Sequence, residues 1–181
     1  MESLKDTRAK NGIIQVVMFR VKDQNFAVPV WKVSEIIRRC ELFPVPGTGD
    51  TVEGVINLRG EIIPIVKIDS ILEVAAEKTE ESGKLKGVET ARKENKAGSE
   101  RLIIFDVKGG KYGFIVDEVS DVVRLKTDEI RPAPPFSSDN GLSDLVVGIL
   151  EIGARMVVAI DPEKIFSERV GLEDVVTTGR I

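Results

Sequence analysis

The sequence predicts an all-β protein built as two small five-stranded barrels from one duplicated unit, with a short C-terminal helix. Three observations carry this expectation. Short runs of Val, Ile and Leu alternate with Gly, Pro, Asn and Asp, the pattern of strands between tight turns. The order of features after Ile13 begins again after Arg101. The apolar content, 42%, is ample for a core, while aromatics are only 5%, so that core is aliphatic. Closing such short strands into barrels leaves little exposed edge.

Met1 to Gly12 is polar and reads as a flexible tail over residues 1–12. Ile13 to Val21 reads as a strand, Lys22-Asp23-Gln24-Asn25 as a turn, and Phe26 to Val30 as the returning strand. Pro29 cannot donate to a ladder, so it marks an edge or a strand end. Val33 to Arg38 fits helix or strand by pattern, and its β-branched content favours strand. Phe43-Pro44-Val45-Pro46 is extended, because each proline restrains the residue before it. Gly47 to Asp50 is a loop. Gly54 to Ile68 is a hairpin of two aliphatic arms around Arg59-Gly60, and Asp69 to Val74 a short helical turn.

Residues 75–99 carry many charges of both signs and no aromatic residue, and read as an exposed linker. It divides the chain into a first barrel, 13–74, and a second, 100–161. Residues 162–181 follow as a helix with Pro162 in its first turn, a stretch Leu172 to Val176 that extends it, and a frayed tail.

The duplication is read from matched segments. Leu102 to Lys108 aligns with Val16 to Lys22, Tyr112 with Phe26, and Val116 with Val30. Val119-Ser120-Asp121-Val122-Val123-Arg124 aligns with Val33-Ser34-Glu35-Ile36-Ile37-Arg38. Arg131-Pro132-Ala133-Pro134 echoes Phe43 to Pro46, the segment Gly148 to Ile160 echoes the hairpin, and Asp161 matches Asp69. The second hairpin is expected to be shorter by two residues and lacks the Asn and Arg of the first tip. Something beyond the scaffold is therefore expected at Asn57 and Arg59.

Several function classes are disfavoured by composition. The net charge of −4 and pI near 5.1 oppose nucleic-acid binding, which needs a concentrated basic surface. No apolar run approaches a membrane span, and Met1 to Gly12 lacks a signal core. With no histidine, a Ser-His-Asp or Cys-His nucleophile is impossible and the commonest zinc ligand is missing. No Gly-x-x-x-x-Gly-Lys-Ser phosphate loop occurs, and the carboxylates are scattered as on a solvated surface. Cys40 is the single cysteine, so no internal disulfide forms, in agreement with a reducing compartment. The expectation is a protein that does no catalysis and holds neither cofactor nor metal.

The order Val-Ser-Glu-Ile-Ile-Arg, Pro-Val-Pro, Glu-Gly-Val-Ile-Asn-Leu-Arg-Gly-Glu-Ile-Ile-Pro-Ile-Val, Val-Asp-Glu-Val-Ser-Asp-Val and Ile-Arg-Pro-Ala-Pro resembles the CheW family of chemotaxis coupling proteins, over roughly Ile13 to Phe166. The resemblance implies two barrels of the Src-homology-3 type with an interface between them. It implies a non-enzymatic scaffold that joins the cytoplasmic tips of chemoreceptors (methyl-accepting chemotaxis proteins) to the regulatory domain of the histidine kinase CheA. Location would be cytoplasmic, at receptor arrays on the inner face of the membrane, which the protein meets only through receptors. Motif by motif, partner binding falls on Val33, Glu35 and Ile36, on Asn57, Leu58, Arg59 and Gly60, and on Val119 and Val122.

In the family a helical receptor tip lies in an apolar groove between the barrels, a mode in which aliphatic anchors provide affinity. The plain alternatives are core positions for the four aliphatic residues and a strand-to-strand salt bridge for Glu35 and Arg59. Trp31 reads as an interface anchor or as the cap of one barrel. The charged 75–99 segment is longer than the family's usual connection, either a private contact or a tolerated insertion. Two rival functions stand beside this: a CheW-like regulatory domain of a larger kinase or coupling protein, and a small-ligand-binding barrel. The missing phosphate loop and the lack of a polar pocket signature weigh against the second.

Overall fold

The structure, a computed structural model, describes residues 12–47, 51–68, 98–107, 110–132 and 145–169. Ten strands run in chain order as β1 (Ile13–Val21), β2 (Gln24–Pro29), β3 (Val33–Arg38), β4 (Val52–Leu58), β5 (Glu61–Lys67), β6 (Arg101–Val107), β7 (Gly110–Val116), β8 (Glu118–Lys126), β9 (Val146–Ile152) and β10 (Arg155–Ile160). A helix over Pro162–Arg169 follows. The expected tail over residues 1–11, the turn Asp69 to Val74, most of the 75–99 linker and the extension at Leu172 to Val176 lie outside the described residues.

The strands form two five-stranded sheets, ordered β8-β1-β2-β10-β9 and β3-β6-β7-β5-β4, called here the first and second sheets. This corrects the division into a barrel from residues 13–74 and another from 100–161. Each sheet takes its first two strands in repeat order from one copy and the other three from the opposite copy. The physical reason lies after β2. Pro29 ends that strand, and a 3-10 turn at Val30–Lys32 carries the chain out of the first sheet, so β3 pairs with β6 instead of β1. Pro29 thus marks a strand end; β2 itself is central in its sheet.

The duplication appears in the registers. Phe19 pairs with Phe26 in one sheet and Phe105 with Tyr112 in the other. Each sheet also holds one parallel pair, β2 with β10 and β7 with β5. Neither sheet closes through a continuous ladder. Its end strands are joined by one bridge from the chain leaving β3 or β8: Phe43 to Val55, and Arg131 to Ile149. Phe43 N–H donates to Val55 C=O at 2.9 Å, and Arg131 N–H to Ile149 C=O at 2.9 Å. Glycine is required beneath both crossings. A Cβ on Gly54 would lie 2.6 Å from the Phe43 carbonyl oxygen, and one on Gly148 would lie 2.7 Å from that of Arg131.

Period-two alternation sorts the apolar side chains into three cores. Ile14, Val16 and Met18 of β1 face the first sheet's own core with Leu125, Leu150 and Val157. Leu102 and Ile104 of β6 face the second sheet's own core with Ile56, Ile63 and Ile65. The opposite faces meet in a shared central core that includes Val17, Phe19, Phe26, Ile103, Phe105 and Phe114. The C-terminal helix inserts Ile165 and Phe166 there, and the Phe166 ring stacks on Tyr112 and Phe114 at centroid distances of 4.6 and 4.9 Å. Trp31 packs half-buried against the first sheet's own core, the capping alternative.

One buried polar cluster secures this helix. Asp161 is 3% exposed and accepts from Glu163 N–H at 3.0 Å. Lys32, in the turn between the sheets, donates to Asp161 at 3.2 Å and to Glu163 at 2.6 Å. Burial alone would lower the Lys32 pKa; the Glu163 hydrogen bond and the attraction of Asp161 outweigh it and hold the ammonium above its ordinary value.

Candidate functional site

The β4–β5 hairpin turns in two residues, between Leu58 and its partner Glu61. Arg59 has φ +55° and Gly60 φ +89°, the type I′ pattern. Gly60 adopts this freely, whereas a side chain at Arg59 costs about 1–2 kcal/mol in the left-handed region. Asn57 offsets part of that cost, because its Oδ1 accepts from Gly60 N–H at 2.9 Å. The tip is therefore a built conformation with an exposed arginine.

The Arg59 guanidinium reaches back to Glu35, with Nη2 at 3.2 Å from Oε2. Glu35 stands on β3, an end strand of the second sheet, and Arg59 on the hairpin whose β4 is the other end strand. The pair thus spans the gap that the ladder leaves open. Its two members differ: the Arg59 side chain is 80% exposed and that of Glu35 only 22%. A planar fork on an exposed tip, held at one side by a half-buried carboxylate, leaves its other edge for a second acceptor.

More charges stand at the same end of the sheet. Glu61 opens β5 and binds Lys111 of β7, Nζ to Oε2, at 2.5 Å. Lys111 pairs in register with Asp106 of β6. The hydrogen bond to Glu61 holds the Lys111 ammonium above its usual pKa against a desolvation effect, and the fields of Glu61, Glu35 and Asp106 add to it. By alternation from Ile37, Ile104, Gly113 and Ile63, these four side chains lie on the face that carries the sheet's own core. They form a charged rim above it.

The aliphatic candidates divide. Val33 and Val119 are half-buried and pack against the central core, the plain reading for both. Ile36 is 39% and Val122 59% exposed, on end strands of the two sheets. Leu58 is half-buried on the second sheet's own core. So Glu35, Asn57, Leu58, Arg59 and Gly60 come together at one end of the second sheet. Ile36 lies on the opposite face of β3 from Glu35, and Val119 and Val122 lie on the first sheet.

Four residues at this place were missed by sequence reasoning: Glu61, Asp106, Lys111 and Ile62, the last 60% exposed. For the three charged ones the signal was available as a charge near the tip-side end of an otherwise apolar strand. Among the described residues no group of His, Cys, Asp and Glu is placed to hold a metal ion. No described helix is long and apolar enough to cross a membrane.

The second hairpin corrects one expectation. It is not shorter: Ile152 pairs with Arg155 as Leu58 pairs with Glu61, so both turns hold two residues. Its turn is Gly153-Ala154, with positive φ, +61°, at Gly153 alone, the type II′ pattern. Glu151 takes the place of Asn57 and pairs with Arg131 at 2.9 Å, both exposed.

Comparison with known proteins bears on this arrangement. Residues 15–170 match the family described as the CheW-like domain. A chemotaxis protein CheW of Rhizobium meliloti (strain 1021) is 33% identical over 157 residues, covering 86% of this chain and 89% of that one. A chemotaxis protein CheW of Treponema pallidum (strain Nichols) is 26% identical, covering 86% and 83%. Among solved structures, the scaffolding protein TtCheW from Thermoanaerobacter tengcongensis superposes with a TM-score of 0.66 at 25% identity, covering 84% of this chain and 87% of that one.

Proposed function

This chain belongs to the CheW-like domain family, and from that premise we propose that it couples chemoreceptor cytoplasmic tips to the regulatory domain of a CheA-type histidine kinase. The coarser reading, a chemotaxis scaffold and not an enzyme, follows from the family and from the scaffolding relative. The finer reading adds the partners, a place at receptor arrays, and the residues.

One observation carries the residue assignment. Arg59 sits in a left-handed conformation that the equivalent turn gives to Gly153. A strained, exposed arginine with a carboxylate partner is a functional pattern. On this reading Glu35 and Asn57 hold Arg59, and Leu58 and Gly60 complete the turn. Ile36 and Val122 are the exposed aliphatic anchors for a helical segment, and Val33 and Val119 support them from the core's edge.

The test is titration of the kinase regulatory domain and of receptor-tip fragments against wild type and Arg59→Ala. Weaker binding to at least one, with an unchanged urea midpoint, is expected. A strong drop in unfolding free energy with both affinities at wild type would make Arg59 a structural residue.

A further inference from the structure

We propose that Lys111, through its clasp on Glu61, is a positioning residue that holds the Arg59 tip in its docking pose. This inference rests on the reading of Arg59 as a partner-binding residue. It starts from where the ladder stops. β5 bonds to β7 only over Ile65, Val66 and Lys67, paired with Gly113, Phe114 and Ile115. Glu61 to Pro64, the tip half of the arm, lies beyond that ladder. Its other neighbour is β4, the end strand, which moves with it as the same hairpin. Ile56 and Ile63 are held in the sheet's own core, but the residues beyond them, Asn57 to Ile62, run as a two-stranded ribbon past the β5–β7 ladder, and isolated ribbons hold their shape poorly.

Among the described residues, two ion pairs cross from this ribbon to the rest of the sheet, beside the packing of Leu58 on its core. One is Arg59 to Glu35 at 3.2 Å, made by an arginine that is 80% exposed. Such a pair is weak by itself and is given up when the guanidinium turns to a partner. The other is Glu61 to Lys111 at 2.5 Å, with Glu61 two residues from Arg59 and Lys111 on β7 inside the sheet. Lys111 is fixed by its own ladder on the far side, opposite Asp106. When a partner takes Arg59, the Glu61–Lys111 tie remains and keeps the tip in place. Lys111 is also the cation whose field reaches Glu35 once Arg59 leaves it.

The other copy supplies a control. Its β2–β10 ladder covers Val157 to Ala159, the counterparts of Ile63 to Ile65, so only Arg155 and Met156 of that arm lie beyond it. The residues aligned with Glu61 and Lys111 there are Arg155 and Asn25, which cannot form an ion pair with each other. The second clasp thus accompanies the arginine tip and is absent from the glycine tip.

The experiment titrates a CheA-type regulatory domain against wild type, Lys111→Gln, Lys111→Arg, Arg59→Ala and the exchanged pair Glu61→Lys with Lys111→Glu. Urea midpoints and amide exchange at Gly60 are followed on each. Lys111→Gln is expected to bind about fivefold more weakly, the factor an exposed ion pair supplies. Its midpoint should stay unchanged and its Gly60 amide should exchange faster. Lys111→Arg and the exchanged pair should recover affinity to within about twofold. Wild-type affinity in Lys111→Gln beside a weakened Arg59→Ala would overturn the clasp alone. An exchanged pair as weak as the single variant would also overturn it, since Lys111 would then touch the partner directly. Wild-type affinity in Arg59→Ala would overturn the underlying reading of the tip. Unchanged exchange at Gly60 in Lys111→Gln would overturn the clasp whatever the binding result.

Discussion

The β4–β5 and β9–β10 hairpins hold the same place in their sheets, turn in two residues and cross a glycine under a bridging strand, Gly54 or Gly148. Their tips solve one geometric problem in opposite ways. The second uses Gly153, which takes φ +61° without penalty, while the first puts Arg59 at φ +55° and supports it with Asn57 and Glu35. The fold is satisfied by the cheaper tip, and the costlier one is the tip to which we assign partner binding. The same logic separates the two glycines, which the scaffold requires in both copies, from Arg59, which it requires in neither.

The comparison breaks most visibly at the crossings. Gly54→Val and Gly148→Val each force a side chain against a backbone carbonyl, and each should lower unfolding free energy by about 3 kcal/mol, the upper range for overpacking. Urea unfolding of both variants checks this; a large loss at one site only would mean the two closures are not equivalent.

A second asymmetry lies at Lys32, whose aligned residue in the other copy is Glu118. Lys32→Met removes the cation beside Asp161, which is 3% exposed, and should cost about 2 kcal/mol. Glu118 pairs with Arg20 at 3.4 Å with 54% of its side chain exposed, and Glu118→Met should stay within about 0.5 kcal/mol. The Lys32 pKa is raised on folding, so its contribution is complete below the unfolded value of 10.5 and is lost as pH rises through the higher folded value. Buried Tyr112, also raised, adds to the same alkaline loss. Urea midpoints followed from neutral to alkaline pH should therefore fall for wild type and fall less for Lys32→Met.

Third, exchanging tips sharpens the contrast in function. Asn57→Glu with Arg59→Gly gives the first hairpin the second's chemistry and should weaken partner binding by about tenfold or more, as for loss of an interface hot spot. Retained affinity would remove the tip from the docking surface. The smallest effect concerns stability alone. Arg59→Gly relieves about 1–2 kcal/mol of left-handed strain, adds about 0.5–1 kcal/mol of glycine entropy and gives up an exposed pair worth about 0–1 kcal/mol. The net change in urea unfolding should lie within about 0.5 kcal/mol; a loss of several would show that Glu35 and Arg59 hold the sheet's ends together.

Much of this was legible before any coordinates. Local pattern alone determined the strands, the two-residue turn at Arg59-Gly60, the helix at Pro162 and the equivalence of the copies, because period, β-branching and turn chemistry act over a few residues. Arg59 was singled out by the contrast between the two copies as well as by the family motif, Glu35 by the motif alone, and their contact agrees with the salt-bridge alternative. The second tip's length was misjudged because Gly153-Ala154 lacks the polar signature that marks the first turn.

Pairing between copies was beyond sequence. A duplicated unit offers β1 two similar partners, β3 and β8, and both choices satisfy the same alternation. Only the turn at Val30–Lys32, its ion pairs to Asp161 and Glu163, and the central core shared by both sheets select β8. The charged rim has the same origin. Glu35, Glu61, Asp106 and Lys111 are each an ordinary surface charge in the sequence. They become neighbours because tertiary pairing places β3, β6, β7 and β5 side by side with their inward faces at one end.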